Sequence, residues 1–207
     1  MALKRMQGLG GWALRAMKSY SNADIAFIRM PGMISFAEMA AVQRARRDAV
    51  ESATAPDTVY FLQHFPVITL GRDARPEHLL SDPATLNAAG IEVIEADRGG
   101  DLTYHGPGQI VAYPIFNLNH WRRSVGWYLR SLEEVVIQAI RPFGLQGERI
   151  PGYTGVWVNG FKVAAVGVGI RNWIAWHGVA LNVNPEMRHF SHIVPCGIRD
   201  KPVGSLE

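Results

Sequence analysis

A chain of 207 residues, 48% of them hydrophobic, can bury a sizeable core in one large domain or two small ones. Its single cysteine, Cys196, excludes an internal disulfide framework and fits a reducing compartment. No apolar run approaches the roughly 20 residues a membrane-spanning helix needs, and a net charge of +3 on dispersed Lys and Arg carries no nucleic-acid signature. A soluble protein without membrane or nucleic-acid partners is expected, and an acidic protein partner would suit the charge through steering.

Residues 1–20 contain no acid, and Lys4, Arg5, Arg15 and Lys18 lie among Met, Leu, Trp, Ala and Gly. The stretch faintly resembles a mitochondrial transit peptide but lacks its serine richness. A loosely docked extension at 1–20 is expected, ahead of one catalytic domain at 21–207, with a cytoplasmic rather than mitochondrial location. "ISFAEMAAVQRARRDAVES" reads as a helix whose Ser35 and Glu38 form a capping box. Its "RARR" at 44–47 reads as a solvated face.

"TVYFLQ" (58–63) and "VITL" (67–70) read as strands around a bend, and "IEVIEA" (91–96) and "QIVAYPIF" (109–116) as strands flanking a glycine-rich loop. Residues 124–144 read as a helix with a buried stripe of Val125, Tyr128, Leu129, Leu132, Val135, Val136, Ala139 and Ile140, ended by Pro142 and Gly144. Asn159-Gly160, between two β-branched runs, predicts a hairpin with a type I′ turn over 155–170, and 173–183 reads as the next strand. Strands and helices mix without a βαβ repeat. The expected fold is a single α+β domain with a mixed, mostly antiparallel sheet flanked by helices.

Four places invite chemistry. "RGGDLTYHGPGQ" (98–109) holds Gly99, Gly100, Gly106 and Gly108, which allow close backbone approach to a ligand, with Arg98 at its entrance. It lacks the Walker phosphate-loop pattern, and the alternative is an ordered surface loop with a hydrogen-bonded histidine. Lys162 follows the hairpin turn and by alternation shares a face with Ala164 and Val166, so it either snorkels to solvent or is a partly buried base. His177-Gly178 opens an apolar strand, as a structural histidine or a point of close approach. Cys196, between Pro195 and Gly197, sits in a loop; a neighbouring cation from Lys162, His177, His189 or His192 would raise its thiolate fraction. His189 and His192 lack further ligands nearby, so no zinc site is expected.

"RGGDLTYHGPGQIVAYPI", "TGVWVNGFKVAAVGVGI", "HGVALNV" and "FSHIVPCGI", in that order, resemble the octanoyltransferases of lipoate biosynthesis, the lipoyl(octanoyl) transferases. "FPVITLGR" at 65–72 extends the resemblance over about residues 20–206. It implies the fold of biotin protein ligases and lipoate ligases. It also implies transfer of octanoyl from octanoyl-acyl carrier protein to a lysine of lipoyl domains, those of 2-oxoacid dehydrogenase complexes and the glycine cleavage H protein, without a cofactor. By position, Cys196 would be the nucleophile that becomes an acyl-thioester, and Lys162 would favour its thiolate and carry the proton. Arg98, Gly99, Gly100, Asp101, Leu102, Thr103, Tyr104 and His105 would line the acyl pocket, with Ala165, Val166, Gly167, Gly178, Val179 and Ala180. The small residues among them would leave a slot for a straight chain.

Two departures stand out: Gln63-His64-Phe65 replaces a Glu-His-Pro, and "VGSLE" (203–207) puts Gly204 where a threonine is usual and ends where the family continues, so a C-terminal helix is expected to be missing. Three rival readings are an ATP-using ligase on the same fold, a cysteine hydrolase, and a non-catalytic protein that binds acyl carrier or lipoyl domains. No nucleotide-binding stretch like that of the biotin ligases is found.

Overall fold

The computed structural model describes residues 25–207, so the extension read at 1–20 lies outside the described residues. Strand β1 (Ile25–Ile34) leads into helix α1 (Phe36–Glu51), followed by β2 (Asp57–His64) and β3 (Val67–Leu70). Helix α2 (Pro83–Ala88), β4 (Glu92–Glu95), β5 (Leu102–His105) and β6 (Gln109–Asn117) precede helix α3 (Val125–Ile140). Strands β7 (Val156–Val158), β8 (Phe161–Arg171) and β9 (Ile174–Asn182) complete the sheets. Six strands form one sheet in the order β1-β2-β6-β9-β8-β7, parallel only at β1–β2, and β4-β3-β5 form a smaller one.

Period-two alternation decides which side each helix covers. Tyr60, Leu62, Val111, Tyr113 and Ile115 pack with Met39 and Val50 of α1. Val59, Phe116, Val168 and Ala175 pack with Tyr128 and Leu132 of α3 on the opposite side. The caps are local: Glu38 N–H donates to Ser35 Oγ at 3.2 Å while Ser35 N–H donates to Glu38 Oε2 at 3.3 Å. The "RARR" cluster is only half solvated. Arg46 Nε donates to the Tyr60 hydroxyl at 3.0 Å, and the Arg47 guanidinium lies 5.0 Å from the Trp176 ring centre.

The stripe read on the second helix needs correction at two positions. Val125 and Val135 are exposed, at 46% and 36%. The fully buried polar residue of α3 is Glu133, which links three segments. Its Oε1 accepts Gly155 N–H at 2.9 Å, and its Oε2 accepts from Arg130 at 2.7 Å and Arg149 at 3.1 Å. Hydrophobic periodicity cannot see such a residue, because satisfaction rather than apolarity keeps it inside.

Residues 102–105, read as part of a loop, form strand β5, paired antiparallel with β3. Leu102 and Tyr104 point into a separate core with Ile68, Leu86 and Phe190. The β7–β8 hairpin turns on Asn159 (φ 51°) and Gly160 (φ 82°), as expected for type I′. A second such turn, at Asn172 (φ 51°) and Trp173 (φ 63°), joins β8 to β9 without any glycine to signal it.

We expect Glu133→Ala to lower unfolding free energy by about 1–3 kcal/mol, because it leaves the buried Gly155 amide without its acceptor while Arg149 keeps Glu134, and Glu133→Gln to lose less. Urea denaturation followed by circular dichroism measures both; equal losses would mean that the carboxylate charge is immaterial.

Candidate active site

Cys196 sits in a short 3-10 turn, Pro195–Gly197, and itself adopts the left-handed region (φ 55°, ψ 19°). A non-glycine residue there is uncommon and persists only where its surroundings impose it. Here the imposition is visible. Val194 N–H donates to the His78 carbonyl at 2.8 Å, Leu80 N–H to the His192 carbonyl at 2.8 Å, and Gly197 N–H to the Val194 carbonyl at 3.1 Å. Beneath the turn Asp101 pairs with His78 Nδ1 and accepts the Arg75 and Leu102 amides at 3.2 and 2.9 Å. A Cβ added to Gly197, at φ 70°, would stand 2.8 Å from Asp101 Oδ2, so the turn sits directly on that pair.

Lys162 reaches the same cavity through an irregularity. Val156 pairs with Ala164 but Trp157 pairs with Lys162, so β8 carries an extra residue there. This bulge breaks the alternation expected from the sequence. Ala164 packs towards α3, while Lys162 lines a cavity with Ala165 and Cys196. Re-aiming a side chain is what a bulge does. Lys162 is 4% exposed, and its ammonium lies 5.4 Å from the Trp157 ring centre. Gly155 (φ 142°) makes room for it: a Cβ there would fall 2.7 Å from Lys162 Cε. Lys162 N–H donates to the Pro202 carbonyl at 2.8 Å, and Gly204 N–H donates back to the Lys162 carbonyl at 3.0 Å. Gly204, read as a departure, lies against Phe161, whose Cβ would be 2.7 Å from an added Cβ.

The cavity, about 540 Å³, lies beside residues 165–168 of β8, past Ala164, the last residue that pairs with β7. Gly99 N–H donates to the Val168 carbonyl at 2.9 Å, which brings the glycine-rich segment against that stretch. Arg98, Gly99, Gly100, Asp101, Thr103 and His105 line it from one side. Ala165, Val166 and Gly167 of β8 and Gly178, Val179 and Ala180 of β9 line it from another, with Lys162 and Cys196. Leu102 and Tyr104 do not line it, because alternate residues of β5 face the second core. Nor do all the glycines leave a slot. A Cβ at Gly178 would be 2.4 Å from the Ala112 carbonyl oxygen, and one at Gly167 would be 3.2 Å from Arg98 Cδ. Neighbouring protein fills the space a side chain would take at these two glycines, and they meet the cavity through backbone alone.

Histidine roles follow from the hydrogen bonds. Gln109 Nε2 donates to the Tyr104 carbonyl and to Asn182 Oδ1, both at 3.0 Å, so Gln109 Oε1 accepts from His105 Nδ1 at 3.1 Å. Burial holds His105 well below the ordinary imidazole range, so it is neutral with its proton on Nδ1. His64, pushed by burial down to about 4, donates from Nδ1 to the Ile34 carbonyl and accepts from the Tyr113 hydroxyl, both at 2.9 Å. His177 (φ 57°) donates from Nε2 to Asp97 at 2.6 Å, and burial lowers its pKa despite that partner. His189 bonds the Tyr104 hydroxyl at 2.8 Å and His192 bonds Ser81 Oγ at 2.7 Å. Of the four cations considered for Cys196, only Lys162 and His177 line its cavity, and His177 is committed to Asp97.

Phe36, Tyr113, Leu129 and Tyr153 also line the cavity. They carry no sequence signal, since aromatic and aliphatic residues in strands and helices read as core. Among the described residues no group of three or more His, Cys, Asp and Glu could hold a metal ion, and no helix is long and apolar enough to cross a membrane.

Residues 35–207 match the lipoyl protein ligase A/B catalytic domain family. An octanoyltransferase from Thermosynechococcus vestitus is 51% identical over 156 residues, 75% of this chain and 68% of that one. One from Nostoc punctiforme is 42% identical over 194 residues, 93% of this chain and 82% of that one. Among solved structures, lipoate-protein ligase A bound with ATP superposes with a TM-score of 0.66 at 14% identity, covering 89% of this chain and 76% of the other. A bi-partite lipoate protein ligase from Thermoplasma acidophilum gives 0.59 at 15% identity, covering 83% and 66%. These likenesses define the fold as that of the lipoate ligases. The chain belongs to the lipoyl protein ligase A/B catalytic domain family, and within it to the octanoyltransferases of lipoate biosynthesis.

Two outcomes are expected here. Gly155→Ala should lower both activity and stability, because its Cβ at φ 142° meets the lysine side chain and the Ala164 carbonyl oxygen at 2.6 Å; a transfer assay beside a melting curve measures both, and an unchanged melting point would refute it. Acid should destabilise the protein before carboxylates titrate. Native His64 stays neutral to about pH 4, whereas an unfolded histidine binds its proton near 6.5. In that window the unfolded state holds more protons, so stability falls with pH from about 6.5 and levels off below about 4, by up to roughly 3 kcal/mol from His64. His105 and His177 act in the same direction. Denaturant midpoints that stay constant from pH 7.5 to 4.5 would refute it.

Proposed function

We propose that Cys196 takes octanoyl from octanoyl-acyl carrier protein as a thioester and passes it to a lysine amine on a lipoyl domain, with Lys162 as the proton carrier. The observation that carries this reading is the meeting of the chain's single thiol with a buried lysine on one cavity. The Cys196 thiolate attacks the donor carbonyl, a C–S bond forms, the carrier's C–S bond breaks, and the departing thiolate takes a proton from the Lys162 ammonium. The acceptor amine then attacks the enzyme thioester, an amide bond forms, Cys196 leaves as thiolate, and the amine proton goes to Lys162. The enzyme regains its starting thiolate and ammonium, and the acceptor's proton replaces the one that left on the carrier thiol. Exchange between thioesters is close to isoenergetic, so the reaction needs no nucleotide or cofactor.

In this reading 21–207 is the catalytic domain, and the residues from 98–101, 103, 105, 165–167 and 178–180 that line the cavity contact the acyl chain. The acceptors are the lipoyl domains of 2-oxoacid dehydrogenase complexes and the glycine cleavage H protein, and the site of action is cytoplasmic, where a lone thiol stays reduced. The T. acidophilum ligase was solved as part of a lipoylation system with its E2 lipoyl domain. That kinship of fold supports a lipoyl-domain acceptor.

Intact-protein mass after mixing with octanoyl-acyl carrier protein tests the reading. The wild type should gain one hydroxylamine-labile octanoyl group, and Cys196→Ser none. Lys162→Met should slow transfer by about 10²–10⁴. A lipoyl domain acylated while Cys196 never carries octanoyl would sink the covalent route.

A further inference from the structure

Arg98 is a buried cation without an anion. It is 7% exposed, yet its guanidinium meets only neutral acceptors: the Thr69 carbonyl at 2.9 Å, Thr69 Oγ1 at 2.8 Å and the Gly99 carbonyl at 3.1 Å. Its Nε has no partner. The ion pairs among the described residues all lie elsewhere. Asp101 is occupied by His78 and two backbone amides. Burying such a charge unpaired is expensive, by several kcal/mol.

The position is nevertheless built. A Cβ at Gly71 would lie 2.7 Å from one guanidinium nitrogen of Arg98, and one at Gly167 would lie 3.2 Å from its Cδ. Two glycines therefore form the seat, Thr69 fixes the fork, and the side chain lines the cavity that holds Cys196. Burial pushes the guanidinium down from its ordinary value, and Cys196, ahead of Tyr113 and Asp101, opposes that push.

Lys162 has two duties in the proposed reaction that conflict. Holding a thiolate requires the ammonium, and accepting the acceptor's proton requires the amine. An arginine stays protonated throughout the working range and so can do only the first. We propose that Arg98 is the fixed counter-charge of the Cys196 thiolate, which leaves Lys162 free to gain and lose the proton. Arg98 is then a positioning residue acting on the nucleophile's charge. The inference rests on the thioester reading but is tested without any acyl donor.

Cys196, being the chain's single cysteine, is followed by alkylation at pH 7 and low ionic strength with anionic iodoacetate and neutral iodoacetamide. The wild type should favour iodoacetate more than a free-cysteine peptide does. Arg98→Gln should cut the iodoacetate-to-iodoacetamide ratio by about threefold or more, which altered access alone would not do, and high salt should narrow the difference. A folded Arg98→Gln with the wild-type ratio overturns the proposal. Should Arg98→Gln fail to fold, Lys162→Met carries the test: its ratio stays above that of the peptide if Arg98 supplies the charge and drops to it if not. Failure of the two readings is separable. Octanoyl on wild-type Cys196 with an unchanged Arg98→Gln ratio refutes only the role of Arg98, and a charge-sensitive thiol that never takes octanoyl refutes only the thioester.

Discussion

The site depends on one stretch of backbone, residues 192–204, hydrogen-bonded at two places. Its beginning is laced to 78–80 through the His78 and His192 carbonyls, and its end runs alongside Lys162 through Pro202 and Gly204. Cys196 stands between these anchors. A thiol on a left-handed turn and a lysine on a bulged strand are each strained or expensive alone. Tying both to the same strap makes their relative position a property of backbone hydrogen bonds, which are stiffer than a side-chain contact. Residues 202–206 take part in this tie, and the Leu206 amide also reaches the Asn182 carbonyl at 3.0 Å.

Charge is distributed in a complementary way. The buried carboxylates, Asp57, Asp101 and Glu133, are consumed by backbone amides, by the Trp121 indole, by Arg130 and Arg149, and by His78. None is paired with Lys162 or Arg98, and both cations line the cavity that also holds Cys196. His64, His105 and His177 do not compete, because burial keeps them neutral.

Much of this was legible in the residues. The Ser35–Glu38 box, the Asn159-Gly160 turn and the long strands are written in local chemistry, and they stand where the patterns put them. What failed had non-local causes. Strand β5 hides in a glycine-rich stretch because its pairing with β3 is a tertiary fact. Lys162 faces the cavity through a bulge that strict alternation cannot anticipate. Glu133 belongs to the core because of Arg149 and Gly155, distant in sequence. Cys196 and Lys162 were singled out only through the order of four motifs, since a lone cysteine or lysine weighs little.

The glycines show how such motifs should be interpreted. Gly178 is small because β6 passes against it, Gly71 because the Gly100 carbonyl and Arg98 lie over it, Gly167 because Arg98 does, and Gly155 because the Ala164 carbonyl and Lys162 do. Only part of the glycine richness therefore serves the ligand directly. The remainder builds seats for two buried cations and for a strand crossing, which a composition-based reading assigns to the substrate. A glycine-rich motif around an active site is then as much a mould for the protein's own charged side chains as a cradle for what binds there.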